Sequence, residues 1–87
     1  MGIVYIIKSI LNGRYYIGST NDLERRLIEH NNGKTKSIKF SRPYKLVFKQ
    51  GYASLNDART IEIKLKKLKS RVIIERIIRE GFINLGS

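Results

Sequence analysis

Two short segments rich in β-branched and aromatic residues lie close together near the start of the chain. They are residues 3–7 and residues 14–17, and this composition favours β-strands. The Asn12-Gly13 dipeptide between them is typical of a hairpin turn. The sequence therefore predicts an antiparallel hairpin against which the rest of the chain must pack.

The hairpin carries two tyrosines, Tyr5 and Tyr16, whose separation depends on the length of the loop. A strict two-residue turn would pair Leu11 with Arg14 and leave both tyrosines on one face, about four residues or ~13 Å apart. A longer loop that pairs Ile7 with Arg14 keeps the same face and brings the two rings opposite each other. We expect the longer loop if the two phenols act together.

The segment after the hairpin predicts a helix with polar groups on its buried stripe. Side chains that can cap a helix occupy residues 19–22, and the helix is expected over about residues 23–31. The i, i+3, i+4, i+7 rule places four residues on one face: Leu23, Arg26, Leu27 and His30. Arg26 and His30 should therefore lie one turn apart on the inward face.

The remaining chain predicts one more strand and two more helices. The strand opens at residues 46–48 and closes at Gly51, and the helices cover about residues 55–69 and 71–79. Glu62 lies on or beside the buried stripe of the first of these helices. The order β-β-α-β-α-α predicts the α/β (α+β) class: a small three-stranded, mostly antiparallel sheet flanked by helices, in a single domain of residues 1–87.

The charge of the chain is strongly positive, with 18 Lys and Arg against 7 Asp and Glu and a formal net charge of +11. Between residues 30 and 56 there is no acid, and six basic residues fall in this stretch: Lys34, Lys36, Lys39, Arg42, Lys45 and Lys49. A second cluster comprises Lys64, Lys66, Lys67, Lys69 and Arg71. Such a field attracts polyanions, and nucleic acid is the first expectation. The alternative is a protein with many solvated lysines.

Cysteine is absent and His30 is the only histidine, which excludes thiolate and multi-histidine metal sites. No apolar run approaches the ~20 residues that cross a bilayer. We expect a cytoplasmic monomer that does not bind membranes.

These residues resemble the GIY-YIG nuclease superfamily, in particular its short stand-alone bacterial members, the UPF0213/YhbQ-like group. The second motif is intact as Tyr16-Ile17-Gly18, whereas the first reads Ile3-Val4-Tyr5, with Gly2 displaced by one position from the motif glycine. The helix with Arg26 and His30 resembles the arginine helix of the family. Ser19 stands where some repair nucleases of the family have lysine, and Asn84 is the only late asparagine where some members place one in the site. The resemblance covers about residues 3–69.

The resemblance implies a one-metal endonuclease that hydrolyses phosphodiesters in DNA, whether duplex, branched or single-stranded, in repair or recombination. It makes Tyr5 and Tyr16 the motif tyrosines, Arg26 the phosphate clamp, His30 the helix histidine and Glu62 the ligand of Mg²⁺ or Mn²⁺. Gly18 is expected to permit a close approach or a positive φ angle. Six residues are expected to contact nucleic acid: Lys34, Lys36, Lys39, Arg42, Lys66 and Lys67. We expect the five catalytic candidates to converge on one concave surface.

Each candidate also has a structural interpretation. The tyrosines can pack the edge of the core, Arg26 can pair with Glu29 or Glu62, His30 can cap its helix, Glu62 can pair with a Lys or Arg, and Gly18 can end a strand. A free phenol has a pKa of ~10, and we expect Arg26, a metal and the basic field to favour the Tyr5 phenolate. The rival function is a nucleic-acid-binding module that uses the fold without cleavage, and a ribosome-associated basic protein is a third.

Overall fold

The computed structural model describes residues 1–34 and 39–83. The elements are β1 (Gly2–Ser9), β2 (Tyr15–Thr20), α1 (Leu23–Asn31), β3 (Tyr44–Tyr52), α2 (Leu55–Leu68) and α3 (Arg71–Glu80), with a short 3₁₀ turn at Lys39–Ser41 before β3. The predicted class and element order are confirmed. The bounds of α1 agree with the prediction. β1 and β3 extend further than expected at both ends, and β3 continues past Gly51, whereas β2 begins one residue later than expected and ends three residues later.

β1 is the central strand of an antiparallel sheet with the order β2-β1-β3. Val4 and Ile6 point to one face of this strand and Tyr5 and Ile7 to the other, and all four are almost completely buried. A strand with large apolar groups on both faces has to be covered on both. The helices accordingly lie on both sides of the sheet, α2 and α3 on one side and α1 on the other.

The two sides of the sheet have different cores. The side under α2 and α3 is a cluster of Val4, Ile6, Ile17, Phe48, Ala58, Leu65 and Ile77. The side under α1 is smaller and contains Tyr5, Ile7 and Tyr44, with Tyr16, Leu23 and Leu27 packed against them. The α1 side therefore has phenol groups inside it, and these hydroxyls need hydrogen-bond partners.

The hairpin has a register between the two that were considered. Tyr5 pairs with Gly18 and Ile7 pairs with Tyr16, so the two tyrosines share a face but are diagonal neighbours. Both expected pairings of Arg14 were wrong. The loop is longer than a strict two-residue turn, as expected for phenols that act together, but shorter than the alternative we favoured.

Ser9 is the residue that sets this loop. Its backbone N–H donates to the carbonyl of Arg14 at 2.8 Å, and its carbonyl accepts from Gly13 at 3.0 Å. Its hydroxyl oxygen also accepts from the backbone N–H groups of Leu11 and Asn12, each at 3.1 Å. A side chain at the end of β1 thus satisfies backbone donors of the loop, and the loop closes four residues after β1 has ended.

Helix α1 is anchored at both of its ends. Asp22 is the N-cap and accepts a hydrogen bond from the backbone N–H of Arg25. At the other end, the amide of Asn31 accepts from the backbone N–H of Tyr44 at 2.7 Å and donates to its carbonyl at 3.2 Å. These contacts fix the position of α1, and with it Arg26 and His30, relative to the sheet.

Gly2, the displaced glycine of the first motif, lies where β1 meets the start of α2. A Cβ atom there would clash with the backbone of Ser54 and Leu55, and Ser54 caps α2 by accepting from the N–H of Asp57 at 3.1 Å. A close approach of backbones explains this glycine. Within the described residues, no helix has both the length and the hydrophobicity needed to span a membrane.

Candidate active site

The phenol of Tyr5 and the imidazole of His30 form a buried hydrogen bond, with 2.7 Å between Oη and Nε2. Tyr5 is 1% exposed and His30 is completely buried. Burial, reinforced by the charge of Arg26, lowers the pKa of His30 to about 4, so the ring is neutral at neutral pH. A neutral imidazole carries one N–H, and the phenol is the donor of this pair when that proton is on Nδ1.

The phenol of Tyr5 does not have the pKa that we expected from its basic surroundings. Burial raises the pKa of Tyr5 to about 12, and the charges of Tyr16 and Glu62 act in the same direction. The hydrogen bond from Arg26 lowers this pKa, as expected, but burial outweighs it. Among the groups of the protein itself, the net effect keeps Tyr5 a neutral phenol.

Arg26 links the buried pair to the surface. Its guanidinium makes a hydrogen bond to the Tyr5 phenol, and its Nη1 pairs with Oε1 of Glu29 at 3.0 Å. Burial works against its charge, but the hydrogen bonds to Glu29 and Tyr5 outweigh burial and raise the pKa of Arg26. The Arg26 side chain is 35% exposed, so a ligand can reach it even though the ion pair with Glu29 predicted by the structural interpretation also forms.

Tyr16 and Lys66 connect His30 to helix α2. The ring of Tyr16 packs edge-on against His30, with 5.2 Å between the ring centroids. The ammonium group of Lys66 lies 5.4 Å from the centroid of the Tyr16 ring, which is a cation–π distance. Tyr16 is only partly buried, so its phenol belongs to the accessible rim of the site.

Glu62 lies beside β2, the strand at one edge of the sheet. One carboxylate oxygen accepts a hydrogen bond from the hydroxyl of Ser19, and the other pairs with Nζ of Lys66 at 2.6 Å. Ser19 pairs with Val4 and so points to the α2 side, opposite to Tyr5. Lys66 bridges Glu62 and the Tyr16 ring around this edge. The five catalytic candidates nevertheless do not share one side of the sheet, so the expected convergence on one surface was wrong for Glu62 and Tyr5.

Gly18 provides the space in which the Tyr5 ring lies. The two residues are direct partners across the β1–β2 pair, and a Cβ atom at position 18 would collide with the Tyr5 ring and hydroxyl. The expected close approach is therefore present. The alternative expectations were wrong, since Gly18 does not have a positive φ angle and β2 continues beyond it to Thr20.

The metal-binding prediction depends on Glu62. Within residues 1–34 and 39–83, no group of three or more His, Cys, Asp or Glu side chains is arranged to hold a metal ion. The Glu62 carboxylate and the Ser19 hydroxyl are oxygen donors of the kind that Mg²⁺ prefers, and water and phosphate oxygens would have to fill the other positions. Lys66 already occupies one carboxylate oxygen, so both interpretations of Glu62 have a structural basis.

The residues expected to contact nucleic acid fall in two places. Lys34 and Arg42 are exposed near the end of α1, where Arg42 and Lys39 both approach Gly33. Lys66 and Lys67 are exposed on α2, and Lys66 belongs to the site itself. Lys36 and Asn84 lie outside the described residues.

Three further side chains near the site were missed by the sequence analysis as functional candidates. Ser19 holds Glu62, and Arg25 and Arg59 line a groove of about 340 Å³ together with Ser19 and Arg26. Arg59 precedes Glu62 by three residues, and this spacing places it next to Glu62 on the surface of α2. The helical period alone could have identified Arg59, whereas the Ser19–Glu62 contact depends on tertiary packing.

Comparison with known proteins agrees with this geometry. Residues 1–75 match the GIY-YIG catalytic domain, and the chain belongs to this family. Its relatives are UPF0213 proteins of bacteria, which confirms the group to which the resemblance pointed.

Three of these relatives show the extent of the similarity. A UPF0213 protein of Streptococcus pneumoniae serotype 4 is 46% identical over 61 residues, and the match spans 67% of this chain and 60% of the relative. UPF0213 protein SSP2268 of Staphylococcus saprophyticus is 35% identical over 79 residues, or 90% of this chain and 94% of the relative. The solution NMR structure of UPF0213 protein BH0048 from Bacillus halodurans, 30% identical, covers 93% of this chain and 87% of that chain with a TM-score of 0.57.

Proposed function

We propose that this domain is a metal-dependent endonuclease that hydrolyses phosphodiester bonds in DNA during repair or recombination. The observation that carries the proposal is the buried Tyr5–His30 hydrogen bond beside Arg26, in the core of the α1 side. Glu62 lies on the other side of the sheet, at its β2 edge. Membership of the GIY-YIG family implies a nucleic-acid substrate, and the net charge of +11 suits a polyanion.

Tyr5 and His30 act in this mechanism as a pair that positions water. The pKa values of the two groups, about 12 and about 4, are too far apart for His30 to hold a proton taken from Tyr5. When the phenol donates to Nε2, its oxygen has two lone pairs: one accepts from Arg26, and the other can accept a hydrogen bond from the attacking water. The fixed phenol thus aligns that water with the phosphorus atom.

Arg26 binds the phosphate through the part of its guanidinium that is exposed, and it stabilises the negative charge that grows on the phosphoryl oxygens. Glu62, held by Ser19, is the residue that would bind Mg²⁺ or Mn²⁺. When bound, the ion supplies charge neutralisation at the phosphate and lowers the pKa of a coordinated water.

The experiment that tests this function is incubation of the protein with labelled duplex, single-stranded and branched DNA, and with RNA, in Mg²⁺ and in Mn²⁺. The Glu62→Ala variant should lose cleavage and keep DNA binding, because it removes a negative charge from a basic surface. Glu80→Ala, which removes an exposed acid at the end of α3, is the matched control and should cut like the wild type. Cleavage that survives Glu62→Ala would contradict the role of Glu62.

The Glu62–Lys66 ion pair is the observation that favours the rival function, a module that binds nucleic acid without cutting it. In that protein Lys66 would neutralise Glu62 permanently. A wild-type protein that binds tightly yet is inert on every substrate in both metals would establish the rival.

A further inference from the structure

A groove of about 340 Å³ opens between the end of β2, helix α1 and the start of α2. Its walls are formed by Ser19, Thr20, Asn21, Arg25, Arg26, Glu29, Leu55 and Arg59. Three guanidinium groups face one carboxylate, which gives the lining a formal charge of 3 − 1 = +2. The remaining polar lining is hydroxyl and amide, so the groove is suited to an anion with several oxygen acceptors.

The groove is continuous with the candidate active site. Arg26 lines it and makes a hydrogen bond to Tyr5, and Ser19 lines it and donates to Glu62. Arg59 lies one turn before Glu62 on α2, which separates the two positions by about 4.5 Å along the helix axis.

Arg59 differs from the other cations around the site in its partners. Arg26 pairs with Glu29 and Lys66 pairs with Glu62, whereas none of the ion pairs among the described residues involves Arg59. An exposed guanidinium at the wall of a groove can bind a phosphate without first breaking an ion pair. It can also do so through two parallel N–H donors.

We propose that Arg59 and this groove bind the phosphate that neighbours the cleaved one on the same strand. This inference rests on the proposed nuclease function and assigns it a substrate class. The substrate is a strand with at least one charged linkage beside the one that is cut, rather than an isolated phosphodiester or a terminal phosphate. Arg59, Glu62 and Lys66 then mark the path of the strand along α2.

The first test is binding without cleavage, so that it does not depend on nuclease activity. The affinity of Arg59→Gln for a labelled DNA duplex, measured in EDTA over a range of salt concentrations, should fall about five- to tenfold. The slope of log affinity against log salt should become shallower by about 0.9, the contribution of one phosphate contact. Arg76→Gln removes an exposed arginine of α3 that is not part of the groove, and it should change neither quantity by as much. Equal effects of the two variants would overturn the proposal.

The second test locates the phosphate by chemistry. A series of substrates is made, each with one neutral methylphosphonate at a different linkage around the cleavage position. The wild-type protein should bind and cleave one member of the series more weakly, the one whose neutral linkage neighbours the cleaved linkage. For Arg59→Gln, neutralising that linkage should cause no further loss of affinity or rate, because the contact with the phosphate is already absent. Independent losses from the variant and from the neutral linkage would overturn the proposal. If no cleavage occurs with any substrate, the nuclease function fails, and the EDTA measurement still decides whether Arg59 binds a phosphate.

Discussion

The two sides of the sheet have cores of different composition, although successive residues of β1 contribute to both. The α2–α3 side is filled by aliphatic and aromatic carbon, whereas the α1 side contains Tyr5 and the completely buried His30. Among the described residues, no buried side-chain nitrogen or oxygen lacks a hydrogen-bond partner. The comparison indicates that the α2–α3 side supplies most of the stability, while the α1 side has a smaller core that holds polar groups in place.

Ile6→Ala is expected to have the largest effect, and the effect should be on stability. The Ile6 side chain is completely buried between the sheet and the α2–α3 cluster, so its truncation should lower the free energy of unfolding by about 2–5 kcal/mol. Urea unfolding of both proteins measures this loss. A loss below about 1 kcal/mol would show that the α2–α3 side is not the main source of stability.

The pH dependence of stability tests the other side. Burial, reinforced by Arg26, lowers the pKa of His30 from 6.5 to about 4. Between these values the unfolded chain binds a proton that the folded chain does not, so the free energy of unfolding should fall as the pH drops, by at most about 3 kcal/mol.

Urea unfolding of the wild type and of His30→Gln is measured at a series of pH values. The difference between the two profiles isolates the contribution of His30 to the free energy of unfolding from that of the carboxylates. The variant should give a flatter profile between pH 6.5 and 5. Parallel profiles for the two proteins would contradict the burial of a neutral imidazole.

Tyr5→Phe should separate function from stability on this same side. The ring still packs, so the loss of stability should be about 1–2 kcal/mol from the missing hydrogen bond to His30. The cleavage rate should fall about 10²-fold, because the variant lacks the phenol that we propose aligns the water. Nicking assays and urea unfolding on one preparation give both quantities. Wild-type cleavage by Tyr5→Phe would remove the phenol from the mechanism.

Gly18→Ala should change stability alone, and a second glycine of the sheet provides a matched control. The new methyl group would collide with the Tyr5 ring, which should cost about 1–3 kcal/mol of stability. At Gly51 in β3, a Cβ atom would meet only the end of the Met1 side chain at 3.4 Å, so Gly51→Ala should be close to neutral. Thermal melts compare the two. Equal shifts would mean that Gly18 is not required by Tyr5.

Local sequence signals predicted the elements well because their causes are local. The bounds of α1 follow from an N-cap residue and a helical stripe, and α2 starts where expected, after the N-cap residue Ser54. The hairpin register could not be obtained in this way. Asn12-Gly13 suggested the position of the turn, but the hydroxyl of Ser9 determined where the ladder closes.

The predictions that failed in the site concern properties created by tertiary packing. The raised pKa of Tyr5 comes first from its burial, which depends on α1 and β3 and not on nearby charge in the sequence. The close approach expected at Gly18 is present, but the approaching group is a ring from the neighbouring strand, which the local sequence does not reveal. The catalytic roles of Tyr5, Tyr16, Arg26, His30 and Glu62, and their metal, stay predictions.

The two hydrogen bonds between Asn31 and Tyr44 have a consequence for the order of events during synthesis. The helix with Arg26 and His30 is complete long before β3 leaves the ribosome, but it has no anchor until Tyr44 arrives and joins the cluster around Tyr5. Glu62 emerges later still. A nascent chain that has not reached residue 62 therefore lacks both the anchored helix and the proposed metal ligand, so the proposed site can form only after most of α2 has been made.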